Sequence, residues 1–332
     1  MNTDQSDEFS PGRLQQAFLD LQRRQYSGVV GVLAGGRQEA YSAFGAAAHA
    51  GVPPSALQVD LLSVTKTITA VMVLKLVEDR RLGLGDTLDA FFDRVPADKA
   101  GITVRQLLTH SAGLREGFGR DHEAVSRAAF LQRALDSRLL FPPGESYAYS
   151  NAGYSLLAAI IETRADKPYE AFLRGDLLPR NGDPAIGYSS VFESRHSLRA
   201  GGGQDVAEAS WGHDRPFWNL IGNGGLVSTA HAMLAFCSRF AAGGIVSAET
   251  VGEMQAPHVR EAPDDTHYGY GLVVEDSQDY GRIYWHNGGS AHFSSNWSHY
   301  ADHGLIVFAA SATEAPDADA AQGIVARALI GP

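Results

Sequence analysis

Ser63 and Lys66 lie three residues apart at the head of an apolar stretch, LLSVTKTITAVMVLKLV, which spans residues 61–77. A helix places positions three apart on one face, so the hydroxyl and the amine lie side by side. Burial disfavours an ammonium and lowers its pKa, so such a lysine can take a proton from a neighbouring hydroxyl. The pair therefore predicts an activated serine nucleophile. The alternative is an N-cap serine followed by an exposed lysine in the first helical turn.

A second group follows in FPPGESYAYSNAGYSLLAAII, where Tyr149, Ser150 and Asn151 lie just before a predicted helix. A tyrosine phenol can accept a proton if a nearby lysine cation lowers its pKa. An asparagine amide beside it can orient a substrate carbonyl and the lysine together. Alone, the tripeptide equally fits an aromatic cap followed by an N-cap asparagine.

A third group, YWHNGGS at 284–290, ends a predicted strand. Gly288 and Gly289 let another part of the backbone approach the strand edge closely. We expect the Gly289 N–H to face Ser63 and, with the Ser63 N–H, to hold an oxyanion. His286 is expected to project into the cleft as a hydrogen-bond donor. A hairpin with a tight Gly-Gly turn is the alternative.

In this order and at these separations, SVTK, YSN and HNG resemble the motifs S-x-x-K, Y-x-N and K/H-x-G of the serine β-lactamase-like superfamily. The resemblance is to the branch with class C β-lactamases, D-alanyl-D-alanine carboxypeptidases and β-lactamase-fold esterases, and it extends over roughly residues 25–330. Three further sequence segments also match this superfamily: ITVRQLLTHSAGL, FPPGESYAYSNAGYSLL and IGNGGLVSTAHAMLAF. The resemblance implies that Ser63 is acylated and that Lys66 accepts its proton. It implies that Tyr149 passes a proton to the leaving group and activates the water for deacylation. It also implies that the substrate is contacted by Asn151, His286 and Gly288, and that Gly289 supplies an N–H group for the oxyanion.

The histidine of the third motif bears on the substrate, because many relatives have lysine at that position. A lysine carries a fixed charge that suits a substrate carboxylate, whereas His286 is mostly neutral near pH 7, given its unperturbed pKa of about 6.5. The chain is therefore predicted to be a serine hydrolase that cleaves an ester or amide through an acyl-enzyme at Ser63. The alternatives are a penicillin-binding type of enzyme (a β-lactamase or D-Ala-D-Ala carboxypeptidase) and a non-catalytic scaffold on the same fold.

The resemblance implies a small-molecule ester, amide or β-lactam as substrate, and composition argues against two other classes of partner. The 332 residues carry a formal charge of −11, which argues against nucleic acid, and no apolar run is long enough for a membrane span. The polar N-terminus lacks a secretory signal, which predicts a cytoplasmic protein, or a periplasmic or secreted one if a leader was removed. No cofactor and no metal is expected, since the single cysteine, Cys237, cannot form a cluster and His299 and His303 lie in strand and turn.

Strands are predicted at both ends of the chain and helices between them, which indicates an α+β fold with one antiparallel sheet flanked by helices. The first strands are Val29–Leu33 and Glu39–Phe44; the last are YGYGLVVE, GRIYWHN, HFSSNWSHY and GLIVFAAS. A helix is predicted from Thr65 to about Val77. We expect a single catalytic domain over 1–332, with a sheet lobe of 1–62 plus 265–332 and a mainly helical lobe of 63–264.

Overall fold

The computed structural model describes residues 10–178, 186–312 and 315–331, and these form an α+β structure. Its strands are β1 (Gly28–Ala34), β2 (Gln38–Phe44), β3 (Gln58–Asp60), β4 (Val227–Thr229), β5 (Val259–Arg260), β6 (His267–Tyr268), β7 (Val273–Ser277), β8 (Gly281–Gly289), β9 (Ser294–Tyr300) and β10 (Leu305–Ser311). Its helices are α1 (Pro11–Arg23), α2 (Thr65–Glu78), α3 (Ala97–Ala100), α4 (Val104–Leu108), α5 (Arg127–Asp136), α6 (Asn151–Ala165), α7 (Tyr169–Phe172), α8 (Ala230–Ala241), α9 (Ala248–Met254) and α10 (Ala318–Ile330).

Both ends of the chain contribute to one eight-stranded antiparallel sheet, in the order β2-β1-β10-β9-β8-β7-β6-β5. Strand β1 pairs with β10 from Gly28 opposite Ser311 to Ala34 opposite Leu305. Strands β3 and β4 form a separate two-stranded sheet. The predicted α+β fold, with N- and C-terminal strands in one antiparallel sheet, is confirmed.

The two faces of this sheet are covered by different helices, because successive side chains of a strand point to opposite faces. On β1, Val30 and Val32 belong to the core formed with α1 and α10. Val29 and Leu33 belong to the larger core, which includes α8. This larger core continues into the helices between the two ends of the sheet.

Helix α2 is buried on nearly all sides and packs against α6, which is equally buried. The polar side chains of α2 find partners inside the core: Thr67 donates to the Gly271 carbonyl at 2.7 Å, and Thr69 donates to the Gly222 carbonyl at 2.6 Å. Such bonds remove the penalty of burying hydroxyl groups. The predicted helix beginning at Thr65 is therefore present, and it is an interior element.

The predicted strand YGYGLVVE is wrong as a single element. Strand β6 ends at Tyr268 and β7 begins at Val273. Between them Gly271 adopts φ +71°, and a Cβ at this position would lie 2.6 Å from the Ala70 Cβ. The chain leaves the sheet here because its backbone packs directly on α2, which only glycine permits.

The long connection before β4 forms part of the wall around α2. Its described residues, 186–226, contain only short turns, among them a π-helical turn at Ala207–Trp211. The Gly, Ser and Asp content of residues 181–225 predicts loops, and 181–185 lie outside the described residues. The division into a sheet lobe and a helical lobe stays a prediction, although β5 adds residues before 265 to the sheet. Among the described residues no helix is both long and apolar enough to cross a membrane.

Candidate active site

Ser63 lies in a 3-10 turn, Leu62–Val64, that runs directly into α2. The turn is set by Leu62, which adopts the left-handed φ of +49° and donates its N–H to the Asp60 carboxylate at 2.8 Å. A non-glycine residue in this region is held there only when its surroundings compensate for the strain. Asp60 is itself buried at the end of β3. Ser63 remains half-buried, so its hydroxyl stays within reach of a ligand.

Lys66 is completely buried one helical turn beyond Ser63. Its Nζ lies 3.0 Å from the Ser63 Oγ and donates to the Asn223 carbonyl at 2.7 Å. Loss of hydration lowers the pKa of Lys66 well below its ordinary value, and the negative charges of Glu116 and Asp121 only partly oppose this. The amine is therefore suited to take the proton of the Ser63 hydroxyl, and this role stays a prediction.

Tyr149 lies on the other side of Lys66, whose Nζ is 4.8 Å from the centre of the phenol ring. Loss of hydration raises the pKa of Tyr149 above its ordinary value, whereas a hydrogen bond with Ser63 lowers it and the charges of Glu116 and Glu261 raise it further. The expectation that a lysine cation lowers this pKa is wrong, because burial outweighs every other influence. The phenol is protonated at rest and is therefore suited to donate a proton.

Asn151 is the first residue of α6, and Ser150 is the N-cap, accepting a hydrogen bond from the Gly153 N–H at 3.0 Å. The alternative of an N-cap asparagine is therefore wrong. The Asn151 Oδ1 is buried and has no hydrogen-bond partner among the described residues. Buried polar atoms rarely stay unpaired, so this oxygen is available to a ligand N–H or to water.

His286 does not project into the cleft as a free donor, which corrects the expectation. Its side chain is buried; Nδ1 lies 2.6 Å from the Asn287 carbonyl, and Nε2 lies 2.9 Å from the Tyr268 hydroxyl. Because a carbonyl only accepts, the proton sits on Nδ1, and Nε2 accepts from Tyr268. Burial, helped by the Lys66 charge, lowers the pKa of His286 to about 3. The ring is neutral, as expected, and both of its nitrogens are already bonded.

The two glycines of HNGG have different surroundings. A Cβ on Gly288 would lie 2.6 Å from the Ser63 nitrogen and 2.5 Å from the Leu62 Cβ, so strand β8 touches the nucleophile turn at this residue. Gly289 is exposed, and a Cβ there would meet nothing within 4 Å. Close backbone approach is thus a property of Gly288, while Gly289 borders open space beside Ser63.

Two groups that support Ser63 and Lys66 lie outside the three sequence motifs. The Asn223 carbonyl binds Lys66, and it is placed by glycines at 222 and 225, which have φ +81° and φ +70°. The second is the Asp60 carboxylate behind Leu62. The Gly-rich segment IGNGGL indicates the turn that places the Asn223 carbonyl, whereas no sequence pattern indicates the role of the Asp60 carboxylate. No group of three or more His, Cys, Asp or Glu side chains within 10–178, 186–312 and 315–331 could hold a metal ion.

The chain is similar in sequence or in fold to known penicillin-binding proteins and amidases. Penicillin-binding protein 4* of Bacillus subtilis (strain 168) is 26% identical over 316 residues, which are 87% of this chain and 69% of that protein.

Two solved structures share the fold. D-amino acid amidase from Ochrobactrum anthropi SV3, complexed with L-phenylalanine, matches with a TM-score of 0.81 and 20% identity over 96% of each chain. A penicillin-binding protein from Bacillus halodurans matches with a TM-score of 0.77 and 20% identity, over 94% of this chain and 98% of that one. The model of the Beta-lactamase family matches residues 13–331, and the chain therefore belongs to this family of serine hydrolases.

Proposed function

We propose that this chain cleaves an ester or an amide through an acyl-enzyme at Ser63. One observation carries the proposal: a fully buried amine lies 3.0 Å from a half-buried hydroxyl, with no carboxylate bonded to that amine among the described residues. In the first step, Lys66 takes the Ser63 proton while Oγ attacks the substrate carbonyl carbon. The N–H groups of Ser63 and Gly289 receive the developing oxyanion. Tyr149 then gives its proton to the leaving oxygen or nitrogen.

In the second step, water replaces the leaving group. Tyr149, deprotonated after the first step, is the base that takes a proton from this water as it attacks the acyl carbon. The Ser63–acyl bond breaks, and the serine oxygen regains a proton from Lys66. Asn151 holds the acyl group through its unpaired Oδ1, which favours a substrate with an N–H near the reacting carbonyl.

The charges around the site support a substrate without a free carboxylate. His286 is neutral and both of its nitrogens are bonded, so it provides no cation where many relatives have lysine. The charged groups that act on Lys66 and Tyr149 are Glu116, Asp121 and Glu261. A substrate carboxylate would approach these three acids. A β-lactamase or D-Ala-D-Ala carboxypeptidase activity is the second candidate, favoured by the likeness to penicillin-binding protein 4*.

Active-site labelling tests the acyl-enzyme. Wild type and Ser63→Ala are incubated with a fluorophosphonate, and the adduct is located by mass spectrometry. We expect one adduct, on Ser63, and no turnover of p-nitrophenyl acetate by Ser63→Ala at unchanged melting temperature. A wild type that forms no adduct would favour the scaffold. The ratio of kcat/KM for p-nitrophenyl acetate and nitrocefin then ranks the two enzyme candidates.

A further inference from the structure

His110 holds the backbone on both sides of Tyr149. Its carbonyl accepts the Ala148 N–H at 2.9 Å, and its Nδ1 accepts the Ser150 N–H at 3.0 Å. The N–H and C=O of Tyr149 itself have no hydrogen-bond partner among the described residues. The position of the Tyr149 backbone therefore depends on its two neighbours, and both neighbours are bonded to one residue.

The protonation state of His110 follows from these contacts. A backbone N–H only donates, so Nδ1 must carry the lone pair and the ring proton must sit on Nε2. Burial lowers the pKa of His110 well below its ordinary value, and protonation of Lys66 or His286 would lower it further, so the ring stays neutral. The imidazole also packs against the phenol, with ring centres 4.4 Å apart. It contacts Tyr149 directly as well as through the backbone.

The backbone of His110 is itself constrained. The residue lies just beyond α4, is buried, and adopts the left-handed φ of +57°. A positive φ is uncommon for residues other than glycine, although histidine and asparagine adopt it more often than most. This conformation directs both the carbonyl and the ring of His110 toward the segment around Tyr149, where they accept the Ala148 and Ser150 N–H groups.

We propose that His110 is a positioning residue that fixes the Tyr149 peptide, so that the phenol stays beside Ser63 and Lys66 during acyl transfer. This inference rests on the proposed function, because it assigns Tyr149 a part in the reaction. His110 does not touch the substrate in this assignment. It acts through Tyr149.

Two variants of His110 distinguish the effect of the ring nitrogen from the effect of the backbone conformation. His110→Gly accepts the left-handed φ and removes the acceptor, whereas His110→Asn accepts the same φ and retains an acceptor oxygen near the position of Nδ1. We expect kcat to fall about 10²-fold in His110→Gly, because small misplacements of catalytic groups have effects of this size. KM should stay within about threefold, and His110→Asn should recover most of kcat. His303→Gly, at an exposed histidine, is the control and should leave kcat unchanged.

Wild-type kcat in His110→Gly, an equal loss in both variants, or a change confined to KM would overturn the proposal. A wild type that neither turns over nor labels would instead refute the proposed function. The tautomer gives a readout independent of turnover and of variant folding. Nitrogen NMR of wild type at neutral pH should show His110 protonated on Nε2 alone. Protonation of Nδ1 would break the bond to Ser150 and overturn the assignment.

Discussion

The two ends of α2 carry lysines with opposite surroundings. Lys66, at the start, is completely buried and bonded to a hydroxyl and a carbonyl. Lys75, near the end, has a side chain 28% exposed and lies 2.5 Å from the Asp79 carboxylate. Water and a carboxylate stabilise a positive charge, whereas burial without a counter-ion destabilises it. One helix thus carries an ion-paired lysine and a lysine whose surroundings suit it to act as a base, and the difference comes from the surroundings and not from the residue type.

Replacing each lysine by methionine tests this contrast with the largest expected effect. Lys66→Met removes the proton acceptor of Ser63, so kcat/KM for p-nitrophenyl acetate should fall at least about 10³-fold. Lys75→Met removes one partly exposed ion pair, which is worth about 0.2–1 kcal/mol of stability, and kcat/KM should change by less than about twofold. Steady-state kinetics measure kcat/KM, and urea denaturation measures the free energy of unfolding, for both variants. Equal losses of activity in the two variants would show that burial does not distinguish them.

The sequence was informative about α2 because its signal is local. The apolar run after Ser63 predicted a buried helix from Thr65, and the S-x-x-K spacing predicted the contact between Ser63 and Lys66. Both depend on residues within a few helical turns, where the geometry is known in advance. The alternative of an exposed Lys66 is wrong, because the first ten residues of α2 are buried on every face and Lys66 lies among them.

Contacts between distant segments could not be predicted in this way. The orientation of His286, on β8, depends on the Tyr268 hydroxyl, which belongs to β6, two strands away in the sheet. The second partner of Lys66 is a backbone carbonyl, and a sequence does not mark which carbonyls will be turned inward. The expected lowering of the Tyr149 pKa requires a cationic lysine beside it, whereas burial lowers the pKa of Lys66 and raises that of Tyr149.

Asp60 extends the comparison to a buried anion on the other side of Ser63. Burial raises the pKa of Asp60 to about 6, although hydrogen bonds from Ser210 and Leu62 lower it. The negative charge of Asp121 also raises this pKa. The charge of Asp60 acts in turn on the pKa of Tyr188. The folded protein therefore binds more protons than the unfolded chain between about pH 4 and 6, so stability falls as pH rises through this window. With a shift of about two units, the loss is at most about 3 kcal/mol.

Asp60→Asn should remove this loss while retaining an acceptor for the Leu62 N–H. We expect the free energy of unfolding of Asp60→Asn relative to wild type to increase between about pH 4.5 and 7.5, by up to about 3 kcal/mol. Urea denaturation at each pH measures it, with Asp93→Asn, at an exposed carboxylate, as the control. A difference that stays constant with pH would mean that Asp60 ionises in the folded protein as it does in the unfolded chain.

The smallest expected effect concerns the charges that reach Lys66 from outside α2. Glu116 is exposed and makes no ion pair with another described residue, yet its charge acts on both Lys66 and Tyr149. Its backbone carbonyl accepts the Ala152 N–H at 2.9 Å, which fixes this loop beside Asn151. Unlike the contact between Lys75 and Asp79, this interaction acts on the groups that we propose carry out acyl transfer. We therefore expect a substrate carboxylate that approaches Ser63 to experience the same charge.

Glu116→Gln should raise kcat/KM for nitrocefin, which carries a carboxylate, by about two- to fivefold relative to uncharged p-nitrophenyl acetate. The gain should disappear near 0.5 M salt, where charges about 4 Å or more apart are largely screened. Glu249→Gln, at an exposed glutamate of α9, should leave the ratio unchanged. Equal changes for both substrates would mean that Glu116 acts on Lys66 itself and not on the incoming carboxylate, because an altered base affects every acyl transfer alike.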